Sequence, residues 1–197
     1  MPAKNKTRCQ WVANGNELYI QYHDTEWGVP ARDDRTQFEF LILEGAQAGL
    51  SWSTILNKRE GYRAAFVGFD PEKIARFGKR DVTRLMNDAG IVRNRLKIEA
   101  AIGNAKAFLE FSEKVGSFSK HMWSFVGGKP IQNNIALHGK VPATSAESDA
   151  LSKDLKKRGF RFVGSTIIYA HMQATGMVND HLTSCYRHRE CKKLAAS

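Results

Sequence analysis

The 197-residue chain is 42% hydrophobic and 25% charged, which supplies one sizeable core and excludes a disordered polymer. No apolar run approaches the length needed to cross a bilayer, and MPAKNKTRCQW lacks the apolar centre of a secretion signal, so a cytoplasmic protein without membrane attachment is expected. The net charge of +10 points to a polyanionic partner, yet the tails 1–8 and 186–197 hold +6 of it and leave +4 for the body.

Along the chain, helix punctuation recurs while period-two alternation is nearly absent, so the predicted class is all-α. The stretch LILEGAQAGLSWS (41–53) sets one carboxylate, Glu44, among small and apolar residues. Phe40, Leu41 and Glu44 share a helix face at i, i+3 and i+4 spacing, which buries the acid. A buried carboxylate is costly unless a hydrogen bond or a cation faces it. Trp52 lies close to this acid in sequence, and Trp11, Tyr19 and Tyr22 lie upstream. Each ring alone fits a core position, but an aromatic face beside a carboxylate also suits a flat cationic ligand.

In DPEKIARFG, Asp70 reads as an N-cap, Pro71 as the first helical residue and Gly78 as the stop. A second short helix fits 81–89. Residues 94–111 place Ile98, Ile102, Ala105 and Phe108 or Leu109 on one stripe of a long core helix. GGKPIQNNIALHGKVPATS (127–145) has no helical period and reads as a long surface loop. TSAE (144–147) reads as a capping box with Thr144 as cap and Glu147 as its partner, opening a helix that presents Ala150, Leu151 and Leu155 and ends near Gly159.

In LKKRGFRFVGSTII (155–168), two helices flank a short link bearing Gly159 and Gly164, and the second begins at Ser165. Lys156, Lys157, Arg158 and Arg161 crowd this link. A helix start with free N–H groups and nearby cations can hold a phosphate, as a helix-hairpin-helix element does. The same residues fit a solvated helix face and an αα-corner whose Phe160, Phe162 and Val163 plug the core.

Three cysteines, an odd count, argue against a disulfide framework. HLTSC (181–185) sets His181 and Cys185 at i, i+4, close enough on a helical turn to share a metal, and the N-terminal segment offers Cys9 and His23. These are either two unconnected pairs or one Cys₂His₂ zinc site.

RCQWV (8–12), YIQYHDTEWGVP (19–30), LEGAQAGLSW (43–52), KREGYRAAFVGFDP (58–71), LKKRGFRFVG (155–164) and VNDHLTSC (178–185) together resemble the bacterial DNA-3-methyladenine glycosylase I family, within the helix-hairpin-helix glycosylases. The likeness runs from Arg8 to about Cys185 and covers nearly the whole chain. It implies a two-lobed helical fold in one domain, with core 9–185 and basic tails 1–8 and 186–197. By resemblance, Cys9, His23, His181 and Cys185 hold one structural zinc that fastens the two terminal segments together. Glu44 falls on the acid that contacts the extruded methylated adenine, as a recognition group and the candidate catalytic residue. Tyr22 falls on a second polar contact, Trp11 and Trp52 on pocket walls, and Tyr19 belongs with this base-binding set. Gly49 and Leu50 match the loop pushed into the gap in the duplex, while Lys156, Lys157, Arg158, Gly159, Arg161, Gly164 and Ser165 form the backbone grip. Asp180, beside His181, is expected to support the zinc site, and Cys191 has no assigned role.

The resemblance therefore implies a monomeric, monofunctional glycosylase that excises 3-methyladenine from alkylated double-stranded DNA. Two alternatives stay open on the residues themselves: a catalytically idle lesion-binding protein of the same fold, and a zinc-stabilised helical module whose tails bind nucleic acid loosely.

Overall fold

A helix that is apolar around most of its girth belongs in the middle of a protein, and α2 (Asp34–Gln47) is such a helix. Nine consecutive or near-consecutive residues from Gln37 to Ala46 are buried, and α2 packs against α3 (Trp52–Asn57), α7 (Arg95–Val115), α8 (Phe118–Ser124) and α10 (Ser165–Ala174). The computed structural model describes residues 6–12 and 16–194. Its remaining helices are α1 (Glu17–Thr25), α4 (Arg59–Ala65), α5 (Pro71–Ala75), α6 (Lys79–Met86), α9 (Ala146–Lys157) and α11 (Tyr186–Leu194). Lys4, in the basic N-terminal tail, lies outside the described residues. Among them no helix is long and apolar enough to cross a membrane.

The main apolar cluster runs from Phe38 in α2 through Phe108 in α7 to Ile168 in α10, so the helical lobes share one core. Two smaller clusters sit nearer the terminal segments. One gathers Cys9, Ile135, Leu182 and Cys185, and the other Tyr22, Phe40, Leu56 and Ala174. α7 buries Ile98, Ile102, Ala105 and Phe108 as the periodicity requires, while Leu109 is partly exposed.

Punctuation is mostly where the sequence puts it, with small corrections. Asp70 caps α5 by accepting from the N–H groups of Glu72 and Lys73, with Pro71 first in the helix. Gly78, expected to stop α5, is instead the N-cap of α6, whose Asp81 carboxylate takes the Gly78 N–H. The cap of α9 is Ser145 rather than Thr144, and its box partner is Ser148 rather than Glu147, one residue further on. Along α9 the buried face is Ser148, Leu151, Ser152 and Leu155 at i, i+3, i+4 and i+7, and Ala150, expected on it, is exposed.

The 127–145 segment is more than a surface loop. Ile131–Gln132 (β1) pairs in parallel with Val178–Asn179 (β2), and Ile135 is buried, its carbonyl accepting from Thr183 N–H. Two residues per strand give no alternation to read, which is why this docking left no mark in the sequence. At the turn after α10, Gly176 takes φ +69°, and a Cβ there would lie 2.5 Å from the carbonyl carbon of Val29. Only glycine lets α10 approach the 28–31 segment so closely.

Candidate functional site

The end of α2, the start of α3, α1 and the two terminal segments enclose an open cavity of about 320 Å³. Glu44, on the buried face of α2, lines it at 3% exposure. Trp11, Tyr19, Tyr22 and Trp52 line it too, so all five expected base-binding residues meet in one place. The rings brace each other: Trp11 sits edge-on to Tyr19 at 5.0 Å and to Trp27 at 5.1 Å, Tyr22 lies 5.4 Å from Trp52, and Phe40 stacks behind Trp52 at 6.4 Å.

Two polar atoms in this wall lack partners. Glu44 Oε2 and the Trp52 indole N–H are buried with no hydrogen bond among the described residues, one an acceptor and the other a donor. Orphans of this kind are uncommon in folded proteins, and on the wall of an open cavity they are groups that a bound molecule can pair. Burial alone pushes the Glu44 carboxyl up to about 8. Burial also lifts the Tyr22 hydroxyl well above its ordinary value, with the Glu44 charge adding to it. An apolar, aromatic cleft that raises a lone carboxylate in this way favours a cation over a neutral molecule.

Further residues complete the lining: Trp27, Gln47, Val141, Ala170, Gln173, Asp180 and Leu182. Gln47 lies one helical turn beyond Glu44 on α2, so the periodicity that found Glu44 could have found it. Val141 comes from the segment read as a surface loop and carried no such signal. Asp180 overturns its expected role. Its carboxylate accepts from the Tyr169 hydroxyl at 2.8 Å, from Gln173 Nε2 at 2.8 Å and from Asn133 Nδ2 at 2.6 Å, and it faces the cavity rather than the cysteine–histidine cluster.

Behind Trp11, the four expected metal ligands converge. The ligand atoms of Cys9, His23, His181 and Cys185 all lie within 4.8 Å of one another, and all four residues are buried. Cys9 Sγ is 3.6 Å from His181 Nδ1, and Cys185 Sγ is 3.5 Å from His23 Nε2. The 181–185 stretch is a non-helical turn rather than a helical one, and it still brings Cys185 Sγ to 3.7 Å from His181 Nδ1. Each imidazole is oriented through its other nitrogen: His23 Nδ1 meets Asp24 at 2.8 Å, and His181 Nε2 meets the Trp27 carbonyl at 2.9 Å. Arg8 in turn grips Asp24 through three contacts of 2.7–3.0 Å. Asp24 therefore does what was expected of Asp180. A hydrogen bond with Cys9 and the two imidazoles pull the Cys185 thiol down from its ordinary value. Two sulfurs and two correctly turned imidazoles fit one metal ion, and the site joins the two terminal segments. Cys9 belongs to both the cluster and the cavity wall. Cys191 is buried nearby, its thiol pushed up to about 11 by burial.

The residues expected to face DNA are divided. After α2 the chain turns at Gly49 with φ +77°, and Leu50 projects at 41% exposure, unusual for a leucine. Lys156 and Lys157 are exposed at the end of α9, and with Lys153 and Ser165 they line a shallow groove. In the 158–164 link, Gly159 takes φ +85° and Phe162 also adopts a left-handed φ of 55°, while Gly164 is in the extended region and caps α10. Phe160 and Val163 are buried and Phe162 partly so. Two side chains are not free. Arg158 folds back onto Asp154 at 2.7 Å and over the Phe111 ring at 4.9 Å. The Ser165 hydroxyl bonds Asp149 and Ser148. Arg161 leaves its side chain exposed while Asn104 of α7 clamps its backbone on both sides, accepting from its N–H at 2.8 Å and donating to its carbonyl at 3.0 Å.

Residues 11–188 match the methyladenine glycosylase family. The chain is 53% identical over 178 residues to DNA-3-methyladenine glycosylase 1 of Escherichia coli (strain K12), covering 90% of this chain and 95% of that protein. A solved 3-methyladenine DNA glycosylase I superposes with a TM-score of 0.89 at 53% identity, covering 91% of this chain and 98% of that one. A variant of a 3-methyladenine DNA glycosylase I, solved in complex with 3-methyladenine, superposes with a TM-score of 0.87 at 38% identity, covering 91% of this chain and 96% of that one.

Proposed function

From the premise that the chain belongs to the methyladenine glycosylase family, we propose a residue-level account of how it excises 3-methyladenine from alkylated DNA by hydrolysing the N-glycosidic bond, the first step of base-excision repair. The observation that carries this account is the unpartnered Glu44 carboxylate in a cavity walled by Trp11, Tyr19, Tyr22 and Trp52.

Methylation at N3 leaves adenine in DNA positively charged, which makes it a better leaving group than a normal base. When water adds at C1′, the electron pair of the C1′–N bond returns to the ring and neutralises it, and the water proton passes to solvent. The damaged nucleotide must first leave the stack, at a cost of a few kcal/mol that is smallest for weakly paired lesions. Leu50, beyond the Gly49 turn, fills the gap, and Lys156, Lys157 and Arg161 with the backbone of the 158–164 link hold the phosphates. Glu44 and the Trp52 face then select the cation. Because the positive charge is lost on cleavage, Glu44 acts as a recognition and electrostatic group rather than as a general base. Among the described residues no lysine lines the cavity, in keeping with a monofunctional enzyme that leaves an abasic site uncut.

The ion suited to Cys9, His23, His181 and Cys185 is zinc, one per chain, in a closed structural site. Bound there, it would act as a lock between the two terminal segments without entering the chemistry. The enzyme works as a monomer on double-stranded DNA in the cytoplasm. The deciding experiment is chromatography of bases released from methylated duplex. Free 3-methyladenine with an intact but abasic strand is the expected result; a protein that binds lesions and releases no base would refute it.

A further inference from the structure

Helix α7 makes two contacts that the base pocket does not explain. Lys97 sits in its first turn, where a cation opposes the helix dipole and gains nothing from its own helix. Its ammonium instead reaches the end of α2, donating to the carbonyls of Ala46 at 2.7 Å and Ala48 at 2.6 Å. Ala46 lies in the last turn of α2 and Ala48 is its C-cap, where a positive charge is favoured and where helix ends leave acceptors unsatisfied, while the Gln47 carbonyl between them accepts from Leu50 N–H. The Lys97 backbone is itself fixed, because Asn94 caps α7 by accepting from its N–H at 3.2 Å.

Seven residues on, two turns along the same side of α7, Asn104 clamps the Arg161 backbone in the 158–164 link. Between them the C-terminal half of α2 meets the link directly: a Cβ on Gly45 would lie 3.2 Å from Phe162 Cβ. Leu50 projects from one end of this frame and the basic link from the other. A wedge works only if it enters the stack at a fixed distance from the phosphates being held.

We propose that Lys97 and Asn104 are positioning residues, which make α7 a spacer that holds the Gly49–Leu50 corner and the 158–164 link in register for extruding a nucleotide from duplex DNA. This rests on the reading of Leu50 as the wedge and of the cavity as the base pocket. Neither residue lines the cavity, so on this proposal replacing either should change base recognition little.

The test compares two assays on wild type, Lys97→Met, Lys97→Arg and Asn104→Ser: release of 3-methyladenine from methylated duplex, and affinity for free 3-methyladenine followed by tryptophan fluorescence. Lys97→Met should lower kcat/KM on duplex by about tenfold or more while free-base affinity stays within about twofold, since misplacement of a remote positioning group costs rate and not pocket binding. Lys97→Arg, which keeps the charge and the donors, should recover most of the duplex activity. Asn104→Ser should lose duplex activity selectively, as Lys97→Met does. Equal losses in both assays, or full duplex activity in Lys97→Met, would overturn the proposal. Wild-type protein that released no 3-methyladenine would overturn the reading beneath it instead.

Discussion

Replacing Glu44 by glutamine should make the protein more stable and a poorer enzyme, and the gain should depend on pH in a calculable way. Glutamine keeps the shape of the acid and removes its charge. The folded carboxyl titrates at about 8 against an ordinary value of 4.5, because burial penalises the ionised form. Between those two values the folded chain carries more protons than the unfolded one, so stability falls as pH rises across that window. One pH unit of such a difference is worth 1.36 kcal/mol, so the carboxyl costs the wild type about 1 kcal/mol near pH 5 and about 3 kcal/mol near pH 7, reaching its limit above about pH 8. The Glu44→Gln variant escapes this cost. Denaturation of both proteins across that range should give curves that converge toward pH 5 and separate by pH 8, with the variant on top. The metal cluster titrates identically in both and cancels from the difference. Parallel curves with no separation would refute the claim that Glu44 is held at a cost for the sake of its ligand.

The same titration acts on recognition. If the ionised carboxyl is the form that meets the cationic base, wild-type kcat/KM on methylated duplex should rise toward about pH 8 and level off, while Glu44→Gln gives a low, flat profile. Trp52→Ala removes a stacking face and should weaken free 3-methyladenine binding by about 1–3 kcal/mol, read by calorimetry. Stripping the metal should lower the melting temperature by about 10 °C or more, because binding energy at such a site is folding energy. Asp24→Asn loosens the imidazole of His23 and should weaken metal affinity by about tenfold or more, measured by competition with a chromogenic chelator.

Glu44 was legible because an acid among apolar residues at helical spacing contradicts its surroundings, and such contradictions mark sites. The cysteine and histidine ligands were legible by residue type, but nothing in spacing alone joined residues so far apart. Family likeness joined them, and the geometry bears the joining out. Asp180 misled because adjacency to His181 in sequence is not adjacency in space: its side chain turns to Tyr169, Gln173 and Asn133. At the head of α9, Thr144 and Ser145 are both good caps, and the choice falls to whichever lets Ser148 close the box. Lys97 was invisible as a functional residue, since a lysine near a helix start looks like surface until its partner on another helix is known.

The cysteine–histidine cluster has a consequence for when the protein becomes competent. Cys9 and His181 are 172 positions apart, and Cys9 shares the wall on which Trp11 stands. During synthesis the early half of that wall waits, unfinished, until the segment carrying His181 and Cys185 has cleared the ribosome. A nascent polypeptide therefore lacks a closed pocket wall until the residues from Asp180 to Cys185 have emerged.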